Sequence, residues 1–298
     1  MATPVALTDN TYLLPSGSNT GLIVADGQAV IVDAGLDADT ARRVGRALTE
    51  LGAQPIALLL THAHADHFGG ASAIAERFQI PVYAPALEAA VVENPYLEPQ
   101  FLFSGAAPLP ELLGKFTLAT PCRVSALVEP GPLEVGGIPI QVVALPGHAP
   151  NQVGYAFGET LFCGDVFFPR ETLAKHPIPF CADVGRALET LRQLPTMGYA
   201  RHAPGHGLAL ADPAAECRAN ADRLLAIADI ILATCRVPVA TGDLLKAVAD
   251  ALGVTLNQIA QYCLAQTTIL ACAAWLRSEG RLDVVFADNR MLWARPAP

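Results

Sequence analysis

The chain has 298 residues, 52% of them apolar and 16% charged, with a formal net charge of −9. That composition fits a well-buried globular protein of one large domain, or a core of roughly 200 residues with an appended unit, and excludes a disordered chain. The charge is uneven: residues 1–215 carry 11 basic and 20 acidic side chains, while 216–298 carry 8 of each. Neither part offers the basic surface that a phosphate backbone demands, so nucleic acid is not expected as a partner.

No apolar run reaches the roughly 18 residues of a membrane span, so no membrane partner is expected. The start, MATPVALTDN, lacks both a basic segment and an apolar one, and no signal peptide is expected. Seven cysteines (122, 163, 181, 217, 235, 263 and 272) are scattered and never form a CxxC pair. They point to reduced thiols in the cytosol and away from a disulfide framework or a cysteine-based zinc site.

In chain order, TYLLP, GLIVAD and AVIVDAG within 11–35 read as three short strands separated by Ser-Gly and Asp-Gly turns. ADTARRVGRALTELG (38–52) reads as an amphipathic helix with Ala41, Val44, Ala47 and Leu48 on its apolar face. A strand at 56–61, a helix at 70–79 and a strand at 81–84 follow, which is α/β layering. Residues 85–120 mix a helical start with Pro, Gly and aromatic residues; the segment is long for a connection and reads either as a lid or as a surface excursion packing its own aromatics.

Strand patterns resume at 124–128, 131–136 and 139–145, then in QVGYAFG and TLFCGDVFF. A helix is expected at 183–194 and a strand at 199–203. From about 212 the pattern turns helical, with helices at 212–235, 241–252, 255–263 and 265–279 and a hairpin tail RLDVVFADNRMLWARP. The expected units are therefore 1–211, with 85–120 as a lid-like insertion, and 212–298.

Chemistry concentrates in LLLTHAHADHFGG, residues 58–70. An apolar run stops there and releases His62, His64, Asp66 and His67 within six positions. Imidazole and carboxylate are good ligands for divalent zinc, manganese or iron, and a strand end holds them more rigidly than a free loop. His148, Asp165 and His206 stand at similar points, where an apolar strand gives way to Gly or Pro. Five of the seven histidines lie in these three places. Strand ends on one edge of a layered fold converge, and seven N and O ligands are enough for two metals if one carboxylate bridges.

Here the chain resembles the metallo-β-lactamase-fold hydrolases. The resemblance rests on Asp33 in IVDAG, HxHxDH at 62–67, His148 in LPGHAPNQVGY, Asp165 in FCGDVFF and His206 in APGHG, and covers residues 11 to about 210. It implies an αββα sandwich with the site at one edge of the two sheets. It further implies two divalent ions, zinc first, with iron or manganese as alternatives. By analogy His62, His64 and His148 bind the first, Asp66, His67 and His206 the second, and Asp165 bridges them. Asp33 would hold the first cluster by hydrogen bonds. Asp66 could also take the proton of the attacking water as the catalytic base.

Tyr155, Tyr96, Phe101 and Phe103 are candidates for the pocket wall, with core or lid packing the alternative. His176 and His202 read as ordinary packing or surface residues, and Cys163 as a core residue facing away from Asp165.

Departures from the family narrow the expectation. The third motif differs from that usual in true β-lactamases. The basic and aromatic glutathione-binding set of glyoxalase II has no clear counterpart in 216–298. The basic arm of the tRNA-processing nucleases is missing from a chain with three lysines. Residues 212–298 resemble the winged-helix-type appendix of some cytosolic members, with dimerisation or closure of the active site as its expected role. The expected function is a cytosolic dinuclear hydrolase of a small carboxyl-type substrate, a thioester or lactone. Alternatives are a phosphodiesterase or nuclease using the same metals, and a non-hydrolytic oxygenase or redox protein on the same fold.

Overall fold

Two-residue alternation sorts the apolar side chains of the first half into two cores. The computed structural model describes residues 3–296, so the ends of the two expected units (1–2 and 297–298) lie outside the described residues. Seven strands form the first sheet in chain order: β1 (Val5–Ala6), β2 (Thr11–Leu14), β3 (Thr20–Ala25), β4 (Gln28–Val32), β5 (Gln54–Leu59), β6 (Val82–Pro85) and β7 (Ala126–Val128). Ala29 and Ile31 of β4 and Leu58 of β5 face one side, with Val44, Ala47 and Ile74 of two helices. Val30, Val32, Ala57 and Leu59 face the other. There they meet Ile140, Val142, Val153, Tyr155 and Phe162 from a second sheet.

That second sheet has the spatial order β12-β11-β10-β9-β8. Its strands are β8 (Gly131–Val135), β9 (Ile138–Ala144), β10 (Val153–Phe157), β11 (Thr160–Gly164) and β12 (Arg201–Pro204). The helices on the outside of the first sheet are α1 (Asp39–Leu51), the single-turn α2 (Ala65–Phe68) and α3 (Ala71–Phe78). The layering is αββα, as expected. In α1 the buried face holds Ala41, Val44, Ala47 and Leu48, and Gly52 closes the helix at φ 64° with its N–H on the carbonyls of Leu48 and Thr49.

The 85–120 segment contains α4 (Ala86–Glu93) and α5 (Leu97–Leu102), then a 3-10 turn at Pro110–Leu112 whose Leu112 is fully buried. Two further helices lie between β11 and β12, α6 (Arg170–Lys175), which had no sequence signal, and α7 (Val184–Gln193).

The remainder is α8 (Ala214–Thr234), α9 (Thr241–Ala251), α10 (Ile259–Ser278) and a hairpin of β13 (Asp283–Ala287) with β14 (Arg290–Ala294). One helix, α10, replaces the two expected at 255–263 and 265–279. No Gly or Pro interrupts 259–278, so the helix runs unbroken through Leu264, where a gap was expected, and it begins at Ile259 and not at 255.

By length and composition α10 could cross a membrane. Its Ala265, Ile269, Cys272, Ala273 and Leu276 instead join α7, α8, α9 and the outer face of the second sheet in one continuous core. All seven cysteines are buried and unpaired.

Candidate metal centre

Strand direction brings the polar groups together. β4 and β5 are parallel, and so are β11 and β12. Their C-terminal ends therefore open on the same edge of their sheets and release Asp33, the His62–His67 cluster, Asp165 and His206. β9 runs the same way as β11, since β10 is antiparallel to both, and it delivers His148.

The ligand atoms fall into two groups, His62 with His64 and His148, and Asp66 with His67 and His206, each with its atoms within 4.8 Å of one another. Asp165 stands between the groups. Its Oδ1 is 3.3 Å from His67 Nε2, and its Oδ2 is 3.2 Å from His206 Nε2 and 3.7 Å from His148 Nε2.

Four of the five imidazoles are oriented in the same manner. His148 Nδ1 faces the Phe180 carbonyl at 3.2 Å, and His206 Nδ1 the Gly17 carbonyl at 2.5 Å. His67 Nδ1 sits 3.0 Å from Asp33 Oδ2. His62 Nδ1 lies 2.9 Å from Thr61 Oγ1, which donates its own proton to Asp33 Oδ2 and so must accept from the imidazole. Each Nδ1 therefore carries the hydrogen, leaving the Nε2 lone pair for the centre. His64 is reversed: its Nδ1 lies 2.8 Å from His148 Nε2.

Asp33 has φ 60°, a left-handed conformation that aspartate tolerates. Its Oδ1 accepts from the Thr61 N–H and its Oδ2 from the Thr61 hydroxyl, beside His67. Both oxygens are engaged by Thr61 and His67, and the carboxylate also lies close enough to His62 and His67 to form a third group that could hold an ion. Asp33→Asn keeps the backbone tolerance and removes the charge. Metal affinity is then expected to fall by about 10–100-fold, the usual effect of losing such a partner, measured by chelator competition with circular dichroism unchanged.

Three buried ligand atoms, His62 Nε2, His67 Nε2 and Asp165 Oδ1, have no hydrogen-bond partner among the described residues. A buried polar atom left so is costly, and cations held by the two groups would relieve that cost. The electrostatics divide the two groups. Burial, with His67, His64 and His148 nearby, pushes His62 well below the ordinary histidine range. Burial and His148 take His64 down to about 3, and burial lowers His148. These three are neutral donors.

In the other group burial also works against a charged His67 and His206. Asp165 and Asp66 outweigh it, holding His67 well above its usual value and His206 at about 10. Burial opposes the charge of Asp165 and of Asp66 as well, but the neighbouring imidazoles keep both far below the carboxylate range. The second group favours positive charge and the first supplies lone pairs, a donor set suited to divalent ions.

Gly205 lets these groups approach, because a Cβ there would lie 2.1 Å from Asp165 Oδ1 and 2.5 Å from His67 Cε1.

A cleft of about 420 Å³ opens over the centre, lined by His64, Asp66, His148, Asp165 and His206 with Glu98, Phe116, Phe168 and Phe180, and by Leu264 of α10. Among the described residues no lysine or arginine lines it. His176 lies in this wall, while His202 is buried elsewhere with both ring nitrogens unpartnered among the described residues.

The expected aromatic wall is largely corrected. Tyr155 is fully buried between the sheets, donating to the Leu60 carbonyl at 2.9 Å, because odd positions of β10 face the opposite sheet. Tyr96 caps the start of α5 at 47% exposure and Phe103 its end, and neither lines the large cavities; Phe101 does. Cys163 packs in the outer core, away from the centre, with its Sγ on the Ala203 carbonyl.

Several residues had no place in the sequence motifs. Thr61 fixes His62 and Asp33, and Ser18 donates to Asp66 Oδ2 at 2.7 Å. Glu88 accepts from the N–H groups of Ala63 and Asn151, tying the first cluster to the His148 loop. Phe180 packs its ring 5.0 Å from that of His64 and 5.5 Å from that of His148. Only Thr61, adjoining the cluster, carried a readable signal.

A family model described as metallo-beta-lactamase superfamily matches residues 13–206. The probable metallo-hydrolase YqgX of Bacillus subtilis is 31% identical over 157 residues, covering 52% of this chain and 68% of that protein. A hydroxyacylglutathione hydrolase of Xylella fastidiosa is 30% identical over 167 residues, which is 56% of this chain but only 49% of the relative, about half its length. Among solved structures, a metallo-beta-lactamase family protein from Thermus thermophilus superposes with a TM-score of 0.76 at 21% identity, covering 98% of this chain and all of the other. At that identity the likeness speaks for the fold.

Proposed function

The chain belongs to the metallo-beta-lactamase superfamily and is a metal-dependent hydrolase, and from that premise we propose that it holds two divalent ions, zinc first, and hydrolyses a small carboxyl-type substrate, a thioester or lactone. The carrying observation is the gathering of His62, His64 and His148 in one group and Asp66, His67 and His206 in another, with ligand atoms in each group within 4.8 Å of one another and Asp165 beside both. His62, His64 and His148 would hold one ion, and Asp66, His67 and His206 the other, with Asp165 reaching both. Ions bound there supply Lewis acidity, which lowers the pKa of water toward neutrality and polarises an acyl carbonyl.

The chain's own groups do the rest. Asp66 lines the cleft with Oδ2 engaged by Ser18, and its second oxygen would accept the proton of the attacking water. Phe168 and Phe180 shield the centre from bulk water on the side of α6 and α10. Asp33, Thr61 and Ser18 keep the first and second groups in register.

The cleft wall supports a neutral acyl compound over the alternatives. Apart from the groups that would hold the ions, its charged wall is Glu98, with no lysine or arginine among the described residues, so the chain itself supplies no cationic partner for the outlying charges of a phosphodiester or of glutathione. The full set of seven ligands supports hydrolysis over an oxygenase with a simpler iron site. The unpaired cysteines support a reducing compartment, the cytosol. Three helices and a hairpin support a winged-helix-type appendix. Because α10 turns its apolar face into the core, that unit is read as closing the site; a homodimer would use other surfaces.

The test is a panel of thioesters, lactones, bis-p-nitrophenyl phosphate and RNA with zinc-loaded protein. Thioesters or lactones are expected to turn over fastest. A preference for the phosphodiesters would replace this reading with a nuclease.

A further inference from the structure

A second cavity of about 470 Å³ lies beside the metal cleft, within the roughly 300–1,000 Å³ usual for small-molecule sites. Its wall is almost wholly apolar, built from Leu87 and Val91 of α4, Leu97, Phe101 and Leu102 of α5, and Phe180. Leu87 and Phe101 remain 60% and 63% exposed, so the chain leaves large apolar surface uncovered at this place. The two cavities share His64, Glu98 and Phe180 in their walls. A molecule whose carbonyl sits at the centre can therefore continue past His64 into the apolar space.

The shared neck has a polar mark. Glu98 Oε2 is buried and has no hydrogen-bond partner among the described residues, a costly condition that a polar group of an occupant would relieve. This gives the occupant a direction: its polar end lies at the neck and its apolar end between α4 and α5. Thr267 of α10 closes the far wall. Thr268 fixes the Phe180 loop by donating to the Pro179 carbonyl at 2.9 Å and accepting from the Cys181 N–H at 3.1 Å.

We propose that this cavity is the subsite for an apolar acyl chain, octanoyl-sized, attached to the scissile carbonyl, and that it makes the protein selective for medium-chain acyl thioesters or lactones. The inference rests on the hydrolase reading above. The chain's occupancy also predicts how rates depend on length, since each buried methylene is worth about fourfold in kcat/KM.

The experiment uses the zinc-loaded full chain and N-acetylcysteamine thioesters from acetyl to dodecanoyl, following thiol release. kcat/KM is expected to climb by about fourfold per methylene, level off near octanoyl, and fall for chains that outgrow the cavity. Two variants on exposed positions probe the wall, Ala90→Phe, which fills it, and Phe101→Asp, which charges it. Both are expected to flatten the length dependence at wild-type metal content. Independently of turnover, 1-octanol titrated calorimetrically should bind wild type and not Ala90→Phe. Hydrolysis of all chain lengths at equal rates, with no octanol binding, would overturn the subsite and leave the hydrolase reading standing. Octanol binding without hydrolysis of any thioester or lactone would keep the apolar cavity but reject it as an acyl subsite of a hydrolase.

Discussion

Asp165→Ala is expected to lower kcat/KM by roughly three orders of magnitude, the equivalent of losing about 4 kcal/mol of transition-state stabilisation. The size follows from position. Among the described residues, Asp165 is the only carboxylate within 4 Å of His67, His148 and His206 together, so its removal disturbs both ligand groups at once. Removing one partner of a buried charged cluster also costs stability, so the folded state of the variant is measured alongside its activity. His64→Ala is the informative companion. It touches the imidazole group alone, so purified protein should lose about one metal equivalent where Asp165→Ala loses more. Metal analysis, circular dichroism and steady-state kinetics on the same preparations check this. An Asp165→Ala protein retaining a tenth of the activity would remove Asp165 from the centre.

Chelation has the second large effect. Ions bound by the native state alone stabilise it by about 4 kcal/mol at a thousandfold excess over Kd, which corresponds to a Tm lower by about 10 °C for the stripped protein. Part of that loss is local. Stripped of cations, the edge holds ionised Asp66 and Asp165 close together among imidazoles of which three resist protonation. Scanning fluorimetry before and after EDTA, then after added zinc, reads the shift and its reversal alongside activity. An unchanged Tm with full activity in chelator would sink the metal-dependent mechanism.

The convergence of the seven candidate ligands was legible because each follows an apolar strand and stands near Gly or Pro, and because strand direction in α/β layers is constrained enough to bring such ends together. Asp33 and Thr61 show where legibility thins. The aspartate was visible in its turn, but its two oxygens could be assigned only when Thr61 and His67 were seen facing them.

The pocket wall was not legible. Tyr155 looks like a pocket aromatic until the register of β10 turns it inward. Phe180, which serves both cavities, sits in a Pro-rich loop with no pattern to mark it. In the same way the two short helices read into 255–279 became one, because no Gly or Pro stands near Leu264 to end the first of them.

The candidate ligands stand at strand ends of the sandwich and in the single turn α2, while α4, α5, the Phe180 loop and α10 line the cavities beside them. Inheritance can therefore act on the two separately. Drift in the helices can retune which compounds are accepted without touching the reactive core, and the core can stay fixed through many such changes. Laboratory evolution of this chain has the same division available: libraries confined to positions such as Leu87, Phe101 and Thr267 vary selectivity with the reactive machinery left as inherited.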